Sequence, residues 1–108
     1  MRTKFEYLID RDENNKVSSR TIQIEIKDKN LQLAKLALNN LKKYIKQEGN
    51  YNFANCPWSY KKEGIFGDSI NIDNKEEADH IKKLYKEWKK IYKYNYWSLY
   101  GILFFIYL

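Results

Sequence analysis

Apolar and polar residues alternate strictly over residues 20–27 (RTIQIEIK), with Ile22, Ile24 and Ile26 set against Thr21, Gln23, Glu25 and Lys27. Residues 3–10 (TKFEYLID) alternate too, with Thr3, Phe5, Tyr7 and Ile9 on one side. A period of two sends successive side chains to opposite faces, so both stretches predict strands with one buried face. The polar run between them, 12–19 (DENNKVSS), predicts a β-hairpin with a long loop. From residue 31 the period lengthens. Leu31, Ala34, Ala37, Leu38, Leu41, Tyr44 and Ile45 recur at helical spacing, with Lys35, Lys42, Lys43 and Lys46 on the outward side. Asp28 or Asn30 can cap this helix, and Gly49 can supply its left-handed end. Leu33 and Leu36 widen the apolar arc, which predicts a contact on a second side of the helix.

Residues 50–57 (NYNFANCP) are irregular, and Pro57 has no N–H for a sheet ladder. Residues 58–62 and 65–73 predict a second strand pair, with Ile70 and Ile72 alternating against Ser69 and Asn71. A second amphipathic helix then runs over about 73–97. Asp73 and Glu76 have capping-box spacing, and Ala78, Ile81, Leu84, Tyr85, Trp88, Ile91 and Tyr92 share one face. Lys82, Lys86, Lys89 and Lys93 line its flank, with Lys83 and Lys90 beside them. The pattern predicts one α+β domain over residues 1–108. Its order is β-β-α-β-β-α plus a C-terminal strand, with two helices packed on one face of a mainly antiparallel sheet. The helix segments 41–46 (LKKYIK) and 88–93 (WKKIYK) are alike, and an Ile-x-Ile strand precedes each. The chain thus reads as a weak β-β-α pseudo-repeat, 3–48 and 58–97.

The uncharged run 94–108 (YNYWSLYGILFFIYL) falls short of the roughly 20 apolar residues of a spanning helix. Its strongest reading is a buried strand over 101–108 that completes the sheet. Two others stay open. One is a dimer or partner contact through Trp97, Tyr100, Phe104 and Phe105. The other is a tail on a membrane surface, helped by Lys89, Lys90 and Lys93 just upstream.

A net charge of +6 favours an anionic partner. Lys, Asn, Ile and Tyr, all with A/T-rich codons, are abundant, so lysine number carries less weight than lysine placement. The two helix faces therefore admit three readings: a solvated surface, a phosphate-binding surface, or a dock for an acidic protein groove. Aromatic side chains near the lysines could stack bases. Arg, the preferred reader of base edges, occurs only at Arg2, Arg11 and Arg20, away from the helices, which argues against a sequence-specific DNA reader.

Catalytic candidates are sparse. His80 reads as a surface histidine pairing with Glu76 or Asp79, and Cys56 as a small packed residue. Two N/S ligands are too few for structural zinc, so no metal and no cofactor are expected. Asp68 and Asp73 read as turn and cap residues, and the Gly64–Gly67 pair as a turn. The single cysteine cannot form an internal disulfide, and the charged start MRTKFEYLIDRDENN lacks the apolar core of a signal peptide, so a cytoplasmic protein is expected.

Small size, no catalytic constellation and A/T-biased composition together resemble accessory proteins of phages and mobile elements, such as anti-CRISPR inhibitors. The resemblance implies a non-catalytic regulator or inhibitor of a nucleic-acid machine. Its partner would be RNA or DNA, or a nucleic-acid-processing protein complex, contacted through Lys82, Lys83, Lys86, Lys89, Lys90 and Lys93 with Lys35, Lys42, Lys43 and Lys46. The alternative is a peripheral membrane or oligomerisation module, including a homodimer, that uses residues 94–108.

Overall fold

The computed structural model describes the backbone of residues 1–107 and the side chains of residues 1–92. Six elements follow in the order β1 (Arg2–Arg11), β2 (Val17–Lys27), α1 (Leu31–Gly49), β3 (Trp58–Tyr60), β4 (Ile65–Ile72) and α2 (Lys75–Tyr107). The strands form one antiparallel sheet in the order β1-β2-β4-β3. The second strand of each hairpin is therefore central, and Ile22, Ile24 and Ile26 of β2 stand opposite Ile70, Asp68 and Phe66 of β4.

One sheet face is covered. Ile22, Ile24, Ile26, Ile70 and Ile72 are buried there under Ala34, Ala37, Leu38, Leu41 and Ile45 of α1 and Ala78, Ile81, Leu84, Tyr85 and Trp88 of α2. α1 lies over β2 and β4. α2 reaches β1, where the Tyr85 and Phe5 rings are 5.2 Å apart. The helices lock to each other where Trp88 Nε1 donates to Asn40 Oδ1 at 2.8 Å and the Tyr44 hydroxyl donates to Glu87 at 3.2 Å. Each buried aliphatic side chain contributes roughly 1.5–3 kcal/mol to holding the layers together.

Among the described residues, no helix packs on the other face. Trp58 lies across Gly67 there and donates from Nε1 to Glu25 at 2.6 Å. A Cβ on Gly67 would come within 2.6 Å of the indole ring, which explains a glycine inside a strand.

Several boundaries differ from expectation. The first hairpin loop is short because Val17, Ser18 and Ser19 join β2. Asp12 Oδ1 gathers the backbone N–H groups of Asn14 (2.9 Å) and Lys16 (3.0 Å), and Asn15 takes the left-handed conformation. Asn30 is the cap of α1, accepting from the Gln32 N–H at 2.9 Å. Its left-handed end is Asn50 rather than Gly49. Gly49 is small for another reason: a Cβ there would meet the Tyr51 ring at 2.6 Å and Leu84 at 2.7 Å. Leu36 gains no second contact and stays 61% exposed. The box at the start of α2 sits one residue later than expected. Asn74 accepts from the Glu77 N–H at 2.9 Å, and Glu77 accepts from the Asp73 N–H at 3.4 Å.

The C-terminal strand expected over 101–108 is not confirmed. The backbone of α2 continues as helix to Tyr107, and the side chains of that stretch lie outside the described residues.

Gly64 closes the β3–β4 turn at φ +69°, and a Cβ there would stand 1.9 Å from the Asp28 carbonyl oxygen. Asp28 N–H donates to Gly64 O at 2.9 Å, so this turn is also tied to the end of β2. Gly64→Ala adds backbone strain to a hard clash and lowers stability by at least about 2 kcal/mol, read from urea unfolding midpoints.

Candidate binding surfaces

The ten lysines singled out by sequence do not form one surface. At 100° per residue, Lys35, Lys42 and Lys46 lie on the side of α1 turned away from Asn40 and Tyr44, which touch α2. On α2, Lys82, Lys86 and Lys89 lie away from Leu84 and Trp88, whereas Lys83 and Lys90 flank Glu87, which reaches Tyr44 of α1. Lys35, Lys42 and Lys46 thus lie on the flank of α1 away from α2, apart from the α2 lysines.

On α1, the outward reading fails for Lys42. Its ammonium turns inward onto Asp68 Oδ2 of β4. The Asp68 side chain is fully buried and that of Lys42 is only 18% exposed. Asp68 Oδ1 accepts from the Ser69 N–H at 2.7 Å, and Lys42 Nζ lies 5.5 Å from the centre of the buried Phe53 ring. Two charges removed from water must pair, since either alone would be strongly penalised. Lys35 is half-buried over the Phe66 ring at 5.6 Å. Lys46 donates to Asn50 Oδ1 at 2.9 Å, and only Lys43 and Lys46 of this set are exposed. They border a shallow depression with Gln47, Tyr51 and Asn52.

On α2, Lys82, Lys83, Lys86 and Lys90 are exposed and line one open surface with Asp79 and Glu87. None of the four forms an ion pair among the described residues. Lys89 lies over the Tyr85 ring at 5.2 Å, towards β1. The side chains of Lys93, Trp97, Tyr100, Phe104 and Phe105 lie outside the described residues.

Among the described residues, no aromatic side chain lines the surface of Lys82, Lys83, Lys86 and Lys90. Phe53 is buried, Tyr92 stacks on Trp88 at 4.9 Å, and Trp58 and Tyr60 are on the uncovered sheet face. Burial raises the pKa of Tyr44, Tyr51 and Tyr92 above the usual 10, with the Glu87 carboxylate adding to the effect at Tyr44. These phenols are therefore neutral packing groups at physiological pH.

His80 meets the Tyr51 hydroxyl through Nδ1 at 2.8 Å, rather than Glu76 or Asp79. Cys56 is exposed, against the expectation that it is packed. Among the described residues, no group of three or more His, Cys, Asp or Glu is placed to hold a metal ion. No helix among them is long and apolar enough to cross a membrane.

A second basic cluster was not anticipated. Arg2 and Lys27 are cross-strand partners at one end of the sheet, and Lys29, Lys62 and Gly64 border the same hollow with Asp28 and Glu63. Burial raises the Tyr92 pKa, and the Asp28 charge adds to it. The hairpin register could have revealed the Arg2–Lys27 pair. The approach of Lys62 depends on the β3–β4 turn, which sequence spacing does not disclose.

Comparison with family models, curated proteins and solved structures returned no match.

Lys42→Met leaves the Asp68 carboxylate buried without its cation and costs about 3–5 kcal/mol in urea unfolding. The double variant Lys42→Met/Asp68→Leu recovers most of that loss. Equal loss in the single and double variants would mean that the pair's geometry, rather than its charge balance, sets the cost.

Proposed function

We propose that the chain is a non-catalytic binding protein that contacts the phosphates of RNA or DNA through the Lys82, Lys83, Lys86 and Lys90 face of α2, and thereby regulates or inhibits a nucleic-acid machine. The supporting observation is that these four ammonium groups are exposed on one helix face, with no carboxylate paired to any of them. Lysine is a compact point charge suited to phosphate, and counterion release supplies the affinity. Among the described residues no aromatic ring lines this surface, and phosphate contacts alone read the backbone and discriminate little between sequences. Lys43 and Lys46, on the other helix, are not needed for it.

The measurement is affinity for single- and double-stranded RNA and DNA across a salt series. With four phosphates neutralised, log K falls against log salt with a slope of about −3.6 on duplex DNA and about −2.8 on single strands. Changing Lys82, Lys83, Lys86 and Lys90 to Gln flattens that slope and leaves the unfolding midpoint nearly unchanged. Affinity that is absent at low salt, or indifferent to it, sinks this reading.

One observation favours a second reading, a peripheral contact with an anionic membrane. Arg2, Lys27, Lys29 and Lys62 border one hollow at the end of the sheet, and the chain also carries the uncharged, aromatic-rich sequence 94–108. Basic groups next to an apolar, aromatic-rich segment supply about 1 kcal/mol each at an anionic leaflet. Vesicles containing phosphatidylserine then co-sediment the chain, vesicles of phosphatidylcholine alone do so far less, and Lys27→Glu/Lys29→Glu/Lys62→Glu reduces the difference. Equal binding to both vesicle types, or to neither, removes this reading.

A further inference from the structure

β1 is an edge strand of ten residues, and among the described residues no strand lies beside its outer rim of backbone N–H and C=O groups. Apolar side chains accompany that rim: Leu8 is 39% and Ile9 42% exposed, and Phe5 is half-buried. Edges of this kind accept another strand unless charge or distortion prevents it. On the open face Lys4 forms an ion pair with Glu6 of its own strand at 2.5 Å, so an incoming strand is favoured where it adds a carboxylate opposite Lys4 and keeps like charges away from Glu6.

We propose that β1 pairs with β1 of a second copy, antiparallel about a two-fold axis through Tyr7, joining two four-stranded sheets into one. Sequence complementarity selects both the occupant and the register. With Tyr7 opposite Tyr7, Lys4 stands across from Asp10 of the second copy, and the two-fold repeats this pair. Phe5 meets Ile9 of the second copy on the covered face, and Glu6 meets Leu8 on the open face. A slip of two residues in one direction sets Glu6 against its own copy, and in the other sets Glu6 against Asp10. Both place like charges directly opposite, which is destabilising. A slip of one residue would send the helix layers to opposite faces. Opposite charges and apolar contacts thus coincide in the Tyr7 register; the register centred on Phe5, which sets Lys4 against Glu6, pairs a shorter stretch of β1 and leaves Ile9 outside it.

Such an interface is isologous, so each substitution acts twice. The test is sedimentation velocity of the full chain over a concentration series at about physiological ionic strength, where the Debye length is about 8 Å and the net charges are screened beyond the interface. Wild type shifts from one copy to two as concentration rises. Lys4→Asp and Asp10→Lys each weaken the dimer at least tenfold, and Lys4→Asp/Asp10→Lys together restore it. Circular dichroism of the exposed-site variants confirms that they fold. A wild-type chain that stays monomeric up to about millimolar, single reversals without effect, or a double variant as weak as the singles would each overturn the proposal.

Discussion

The ion pair between Lys42 and Asp68 fixes how the helix layer sits on the sheet. Asp68 occupies an inward position on a central strand, where its neighbours in register are isoleucine and its surroundings exclude water. A carboxylate there is tolerable only with a cation delivered from above. Lys42 is the residue of α1 that reaches it, so the rotation of α1 about its axis and its position along β4 are both constrained. Once α1 is set, Asn40 and Tyr44 point towards Trp88 and Glu87, and α2 takes its place beside it. The orientation of the α2 lysine face follows from that chain of contacts. A hydrophobic pair at the same positions would bind the layers at least as well but would allow α1 to slide.

Much of the fold was legible because periodicity reports burial directly. The Ile22-Ile24-Ile26 alternation, the stripe from Ala34 to Ile45 and the stripe from Ala78 to Trp88 are all buried as the pattern requires. What failed did so for identifiable reasons. Lys42 was placed outside because a helical wheel treats every lysine as solvated, whereas a lysine at the margin of the stripe can bend its stem inward. Asp68 seemed a turn residue because a lone carboxylate in a strand gives no hint of a partner 26 positions earlier. The caps slipped by one because Asp73 and Asn74 are chemically equivalent there, and only the chain's direction decides between them.

The candidate surface was legible in its α2 half and not in its α1 half. Exposed lysines at helical spacing need no tertiary information, so Lys82, Lys83, Lys86 and Lys90 were found together. Lys35 and Lys42 could not be separated from Lys43 and Lys46 without knowing where Phe53, Phe66 and Asp68 lie. The Arg2, Lys27, Lys29 and Lys62 corner is built from three separate segments, and only the closed sheet assembles it. Helix-borne charge is written locally, whereas charge gathered from strand ends and turns is a product of topology.

The strand order also bears on the speed of folding. Each hairpin joins neighbours across a short turn, but the central β2–β4 seam links residues about forty to fifty apart, with all of α1 between them. Loop closure over that length must precede any reward from the seam, so local hairpins and helices form early and wait for it. The middle of the sheet, the best-packed part of the finished molecule, is by this reasoning the part assembled last.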